Sequence, residues 1–407
     1  LASLLFAIGG LAFLLIGIGR PPFLYYDEPY FVPEARAFIQ GVPNPHPACP
    51  PLAKPPLGKL IMAVGMKLAG DNPFGWRIAG AVCGSLTLAA IYLWSFFLLG
   101  DSRLACVAAT LALFNNFWYV MSRVGMMDAF LLVFLMWSLV AYTAALTCHI
   151  SVGLRRFLFV SSGALLGLAG ACKWNAIDTL AVFFPVSFAL RQAGGYLNRD
   201  SSLWGYVRNL REIGAPTMLL GLLVTPVLAY CLAFLPLCLL IHRPFTLHEL
   251  LAMNAFIWKF NSTAISNRAI TSAWYTWPLN LHPQRALSYL LGNPVVTWGG
   301  LLALASCIRR FWKTAGFAEG LVLLSFFSNY LQWAVTPEKG IFYYYYYPSV
   351  MVLGVAIAVA LRHLPHRLFG VRVSFLVLVA AIIVFVWCYP RMANLQAPWD
   401  CALGCWS

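Results

Sequence analysis

The chain of 407 residues is 61% hydrophobic and only 10% charged, with a net charge of +14. A soluble domain carries roughly 25% charged residues, so this composition excludes a soluble enzyme and points to a polytopic membrane protein. The ten-residue alternating segments of a barrel are absent, which leaves helices. The basic excess fits topology-setting loops and lipid phosphates, not nucleic acid.

In chain order, about eleven apolar runs are predicted as spans: 1–19, 78–99, 104–121, 126–146, 156–172, 175–191, 216–240, 294–308, 318–335, 342–361 and 372–389. The first lacks a positive n-region and a small-residue cleavage site, so it reads as a retained span. Two connections are long, 20–77 and 241–293. Both are rich in Pro, Trp, Tyr and Asn and are expected to be ordered. Short loops on one side collect Arg103, Arg155-Arg156, Arg191 to Arg211, Arg309-Arg310, Lys313, Arg362, Arg367 and Arg372. The opposite short loops hold only Arg123, Lys173 and Lys339. The positive-inside rule puts the first set in the cytoplasm and the two long loops outside. No internal repeat or separate soluble domain is visible, so residues 1–407 read as one transmembrane domain. Most of the eleven cysteines lie in spans as small apolar residues. Cys401 and Cys405 lie in a polar tail, where pairing depends on the redox side.

Charged and aromatic residues gather in the external segments. Asp27-Glu28 follows the first span in Phe23-Leu-Tyr-Tyr-Asp-Glu-Pro-Tyr30. A short amphipathic helix ended by Gly41 is predicted next. Asp27 reads either as its N-cap or as a base that accepts a proton from an attacking hydroxyl. Pro50-Pro-Leu-Ala-Lys-Pro-Pro-Leu-Gly-Lys59 projects Lys54 and Lys59 from a stiff backbone, as interfacial lysines or as part of a site. Arg77 opens the second span and either snorkels or binds a phosphate. Arg123 and Asp128 pair with each other or build a site. Lys173 pairs with Asp178 one turn on or joins the same site. Trp274 and Trp277, in Ser272-Ala-Trp-Tyr-Thr-Trp-Pro278, exceed the needs of an aromatic belt and suit a sugar or acceptor platform. Of Tyr343 to Tyr347, most are expected to pack, with one or two reaching a cavity. There is no HExxH, Walker loop or GxGxxG, and His46 with Cys49 is too thin for zinc. These absences favour a lipid-carried donor over a soluble nucleotide.

These motifs, in this order, resemble the protein O-mannosyltransferase family of the GT-C superfamily, in its bacterial type. Asp27-Glu28, Pro55-Pro-Leu-Gly-Lys59, Arg77, Ser122-Arg123 to Asp128, Cys172-Lys-Trp174, Trp274-Tyr-Thr-Trp-Pro-Leu279, Leu291-Gly-Asn-Pro294 and Phe342 to Pro348 carry the resemblance. Lys54 and Tyr345 stand where the family has His, and Asn267-Arg268-Ala269 where it often has His-Pro-Tyr. The resemblance implies a helical GT-C-like membrane fold and an inverting hexosyltransferase in the bacterial inner membrane, with its site on the non-cytoplasmic face. It would move a hexose, mannose by family, from a polyprenyl phosphate to a hydroxyl acceptor on protein Ser/Thr. Asp27 is then the expected base and Glu28 its partner in orienting acceptor or sugar. Arg77, Arg123 and Lys173 are the carrier-phosphate cations. Lys54, Lys59, Trp274, Trp277 and Tyr345 form the acceptor or sugar platform. Neither metal nor cofactor is required, because the lipid-linked sugar is a co-substrate and side-chain cations can meet the phosphate charge. One rival is the same chemistry on a lipid or glycan, as in aminoarabinose transferases. The other, a lipid or sugar transporter, would place charges at mid-membrane, whereas here they cluster at one surface.

Overall fold

The computed structural model describes residues 1–41, 53–194, 203–263, 271–281, 284–285, 289–336, 341–364, 367–368 and 371–393. His46, Cys49, Asn267-Arg268-Ala269, His282, Lys339, Cys401 and Cys405 lie outside them. The described chain is helical apart from two small antiparallel hairpins, β1 (Gln284–Arg285) with β2 (Tyr289–Leu290) and β3 (Arg367–Leu368) with β4 (Val371–Arg372).

The first long connection folds into two short helices. After α1 (Ala2–Leu15) come α2 (Glu28–Gln40) and α3 (Leu57–Ala69). Gly41 ends α2 with φ of 64°, as its C-cap position requires. Next, α4 (Pro73–Leu99) starts on a sharp signal. Asn72 Oδ1 accepts from the Phe74 and Gly75 N–H groups, and Pro73 occupies the first helical position. There follow α5 (Ser102–Leu113), α6 (Asn116–Met121), α7 (Met127–Thr147), α8 (Val152–Cys172), α9 (Asn175–Ala193) and α10 (Trp204–Ile213).

The run 215–240 is one apolar rod with a defect. It comprises α11 (Ala215–Leu219), a π turn at Leu220–Val224, α12 (Thr225–Leu232) and α13 (Leu235–Leu240). Pro226 has no N–H to continue the ladder, which accounts for the widened turn before it. That turn lies directly on α8. A Cβ at Gly163 would meet the Gly221 carbonyl oxygen at 1.5 Å, and one at Gly167 the Pro226 oxygen at 2.2 Å. The two glycines, four residues apart, therefore let backbone meet backbone as in small-residue contacts between membrane helices.

The last third holds α14 (Leu247–Thr263), α15 (Pro294–Thr314), α16 (Phe317–Tyr330), the single turn α17 (Gln332–Val335), α18 (Tyr347–Leu361) and α19 (Val373–Met392). The eleven predicted runs all fall in helical segments, though not each in a single helix. Among the described residues, six helices are long and apolar enough to cross a bilayer: 73–99, 127–147, 152–172, 215–240, 343–361 and 373–392. Every residue of α18 is buried, against α15, α16 and α5, whereas α19 exposes Ile383, Val386 and Trp387. A rod hydrophobic on all sides belongs in the middle of a bundle or in lipid, and these two helices take one place each.

Candidate active site

The site begins with a residue that caps nothing. Asp27 is the N-cap of α2, yet its side chain accepts no capping hydrogen bond. The sequence supplies a reason. An N-cap oxygen bonds the N–H of the second or third helical residue, and the second here is Pro29, which has none. The third, Tyr30, donates to the Asp27 carbonyl instead, at 3.0 Å. Just before it, Tyr26 sits at φ of 53°, a conformation that costs a side chain of this size about 1 kcal/mol or more. This twist turns the Asp27 carboxylate away from the helix end.

What holds the twist is Glu28. Its Oε1 accepts from Arg77 Nε at 2.7 Å and from the Gly125 N–H at 2.9 Å; its Oε2 accepts from Arg77 Nη2 at 2.9 Å and from the Tyr25 N–H at 3.1 Å. A carboxylate has about four lone-pair positions, and all are occupied. Arg77 in turn donates to the carbonyls of Ile18 and Pro21 through Nη1 (3.2 and 2.9 Å) and to Phe23 through Nη2 (3.0 Å). All five of its donors are thus engaged, and both side chains are completely buried. Gly125 is needed because a Cβ there would stand 3.0 Å from Met62 Cε and 3.3 Å from Glu28 Cγ.

These contacts correct the expected roles of two residues. Arg77 is not a free phosphate ligand, and Glu28 has no oxygen left to orient a substrate. A fully buried ion pair must be satisfied by its own surroundings, and here those surroundings are the first loop, the start of α4 and the turn into α7. Arg123 is partly taken up. Its Nη1 caps α1 by bonding the Leu14 and Ile16 carbonyls, and its guanidinium lies 4.8 Å from the Tyr119 ring centre. Lys59 is buried against Glu34 and donates to the Lys54 carbonyl at 2.9 Å, so it is no platform either. Trp277 is buried too. Its Nε1 donates to Ser272 Oγ at 2.8 Å, and its ring packs on Trp333 and Tyr346. Trp274 is partly buried, edge-on to Tyr330.

The remaining candidates converge on Asp27. Lys173, the C-cap of α8, bonds Asp128 in the first turn of α7 at 2.7 Å. Its partner is therefore neither Asp178 nor shared with Arg123. The Lys173 ammonium also lies 3.9 Å from the centre of the Tyr345 ring, which Trp333 stacks against at 4.5 Å. Tyr345, 5% exposed, thus seats a cation and does not face a sugar. Tyr344 donates its hydroxyl to Asp27 Oδ2 at 2.8 Å. Lys54 bonds Asn261 of α14, and Asn261 Nδ2 returns to the Ala53 carbonyl at 2.9 Å. One clasp therefore joins the two long connections.

Asp27 remains partly exposed. Burial of its carboxylate raises its pKa above the usual value of 3.8, and Asp128 adds to the rise; the Tyr344 hydrogen bond and the charges of Lys173 and Lys54 work against it. A carboxylate tuned upward in a partly exposed residue is fit to take a proton.

Two cavities that share lining residues lie near the neighbours of this centre. One, of about 720 Å³, runs between α9 and α16 from Leu203 and Phe317 to Gln332 and Val335, with a lining that is almost wholly apolar. The second, of about 340 Å³, is lined by Trp174, Trp258, Trp333, Asn175, Asn261 and Thr336 among others. Asp178, Gln332 and Val335 border both. An apolar trough bordering an aromatic and polar chamber suits an amphiphile with a long tail and a polyol head.

Sequence motifs signalled Asp27, Lys173, Asp128 and Lys54, but not Tyr344 or Asn261. A run of five tyrosines gives no clue to which one reaches the carboxylate, and Asn261 sits in an unremarkable helix.

Residues 53–204 match the family model described as dolichyl-phosphate-mannose-protein mannosyltransferase. The polyprenol-phosphate-mannose–protein mannosyltransferase of Mycolicibacterium smegmatis is 22% identical over 92% of this chain and 86% of its own length. Among solved structures, the Saccharomyces cerevisiae Pmt1–Pmt2 complex bound to the sugar donor superposes with a TM-score of 0.78 at 13% identity, covering 98% of this chain and 91% of that one. ArnT from Cupriavidus metallidurans bound to undecaprenyl phosphate gives 0.64 at 17% identity, over 96% and 74%. Motif order, sequence and fold agree: the chain is similar to the protein O-mannosyltransferases in sequence and shares the GT-C fold with the solved structures.

Proposed function

We propose that this protein is a membrane mannosyltransferase that moves mannose from a polyprenyl phosphate to the hydroxyl of a protein Ser or Thr. The observation that carries the mechanism is Asp27, an N-cap freed from capping, hydrogen-bonded by Tyr344 and flanked by Lys173 and Lys54. The acceptor oxygen attacks C1 of the sugar from the side opposite the phosphate. Its proton passes to Asp27, and the C1–O bond to the phosphate breaks with inversion. The leaving phosphate monoester gains a negative charge. Lys173, which has donors left beyond its bond to Asp128, and Lys54 meet that charge.

The long apolar cavity is the seat of the carrier tail, and the chamber lined by tryptophans receives the head group. In this reading eleven helical spans form one domain in a bacterial inner membrane. The site and the two long connections face the non-cytoplasmic side, as the distribution of Lys and Arg in the short loops indicates. No cofactor takes part beyond the lipid-linked donor. A protein acceptor is favoured over the lipid acceptor of the second reading, because the relatives matched along nearly the whole chain are named for protein mannosylation.

Purified protein in nanodiscs, given polyprenyl-phosphate mannose and a Ser/Thr-rich peptide, should add one hexose to the peptide by mass spectrometry. Asp27→Asn should lower turnover by about 10²–10⁴-fold while still binding bare polyprenyl phosphate. Lys173→Gln should weaken that binding. Hexose appearing on a lipid and not on the peptide would select the second reading, and full turnover in Asp27→Asn would remove the base.

A further inference from the structure

Asp27 can act as a base only if one of its oxygens is free and correctly aimed, and nothing in its own helix aims it. With the capping bond absent, the orientation must come from elsewhere. The hydroxyl of Tyr344, 317 residues away in sequence, reaches Oδ2 at 2.8 Å. That hydroxyl is itself held in place. The Tyr344 ring stacks on Phe342 at 5.3 Å with 9° between planes, meets Tyr345 edge-on at 4.8 Å, and faces the edge of Tyr26 at 6.4 Å. A phenol fixed on three sides has little freedom to point its O–H elsewhere. Because an ionised carboxylate only accepts, Tyr344 is the donor in this bond.

We propose that Tyr344 is a positioning residue for the transfer: its hydroxyl occupies Oδ2 of Asp27 and leaves Oδ1 as the oxygen that takes the acceptor proton. This rests on the reading of Asp27 as base. The four tyrosines around it have other work. Tyr343 bonds Asn280 and the Gly292 N–H, Tyr345 carries Lys173, Tyr346 packs on Trp277 and Tyr330, and Tyr347 meets Ser122. Only Tyr344 touches the carboxylate among the described residues. The charged groups that face Asp27 are Lys173 from α8, Asp128 from α7 and Lys54 from the segment before α3. None of them is altered when a single phenolic oxygen is removed.

Tyr344→Phe keeps the ring and its stacking, so it deletes the hydrogen bond alone. The full chain in nanodiscs is assayed for kcat and kcat/KM between pH 4 and 9 with polyprenyl-phosphate mannose and a Ser/Thr peptide. A hydrogen bond to a charged group holds the carboxylate's proton affinity down, so its loss should move the acid limb upward by about one to two pH units. On the plateau kcat should fall about tenfold, with KM for the donor unchanged. A drop in kcat with the acid limb unmoved would assign Tyr344 to packing and overturn the proposal. Should the Phe variant fail to fold, 3,5-difluorotyrosine at position 344 keeps the shape and makes a stronger donor. The limb should then move down, and no movement overturns the proposal equally. Asp27→Asn with full turnover would sink the underlying reading instead, so the two failures are separable.

Discussion

Replacing Arg77 distinguishes a staple from a ligand. Were it a phosphate ligand, its removal would cost donor affinity and leave the fold intact. The structure implies the reverse. Arg77→Gln leaves Glu28 fully buried and without its ion partner, and breaking a buried pair costs about 3–5 kcal/mol. The carbonyls of Ile18, Pro21 and Phe23 also lose donors, at about 1 kcal/mol each where no water replaces them. Arg77→Lys should recover little, because one ammonium cannot span two carboxylate oxygens and three carbonyls. The double variant Glu28→Gln, Arg77→Gln removes both charges and should be less destabilised than the sum of the single changes, with a coupling of about 1–3 kcal/mol. The assay is thermal unfolding in detergent micelles, read by tryptophan fluorescence, alongside titration of the folded fraction with bare polyprenyl phosphate. Normal unfolding of Arg77→Gln combined with at least tenfold weaker lipid-phosphate binding would refute the argument and restore Arg77 as a ligand.

Other expectations follow from single contacts. The acid limb of kcat/KM should lie above pH 3.8, since burial raises the Asp27 pKa; because the folded form holds its proton more tightly, the same group favours the fold below that pH and loses this contribution as pH rises through its folded pKa, which a pH series of unfolding temperatures would reveal. Gly125→Ala forces a methyl to within 3.0 Å of Met62 and 3.3 Å of Glu28 and should cost about 1–3 kcal/mol, with turnover falling as the Glu28 cluster shifts; unchanged melting and activity would show that the turn can yield. Arg36 and Asp71 form an exposed pair in which the guanidinium bond lowers the carboxyl pKa, so any stabilisation is present above pH 3.8 and lost as pH falls through the lowered pKa. Arg36→Ala should nonetheless change stability by less than about 1 kcal/mol, measured by the same unfolding assay.

Much of this architecture is legible in the sequence because lipid imposes it. Apolar runs near bilayer length must be helices, and each falls in a helical segment. Site chemistry was legible only by residue type. The sequence marks Asp27, Glu28, Arg77, Arg123 and Lys173 as unusual charges but does not say which will be consumed by the fold. That depends on burial: Glu28 and Arg77 satisfy each other completely, while Asp27, one position away, keeps an oxygen free. The proline that releases Asp27 stands in plain view two residues on, and its effect is local. Tyr344 and Asn261 were not legible, since their partners lie 317 and 207 residues distant and no local pattern encodes a contact at that range. Of the two helices in the first loop, α2 was legible from its amphipathic pattern and Gly41, whereas α3 was not, being too short to read as a span.

The distance along the chain between Asp27 and Tyr344 has a bearing on biosynthesis. Membrane helices are inserted in order as they leave the ribosome. A nascent chain that has reached Lys173 already owns its acid, its lysines and its first-loop staple. It still lacks the turn before α18, which supplies both the phenol on the acid and the aromatic seat under the lysine. Until that late segment enters the bundle, the emerging polypeptide can meet its lipid substrate in the same membrane without the geometry to consume it. The geometry proposed for transfer therefore arrives with the tenth of its eleven apolar runs, and a product cut short before residue 341 would lack it.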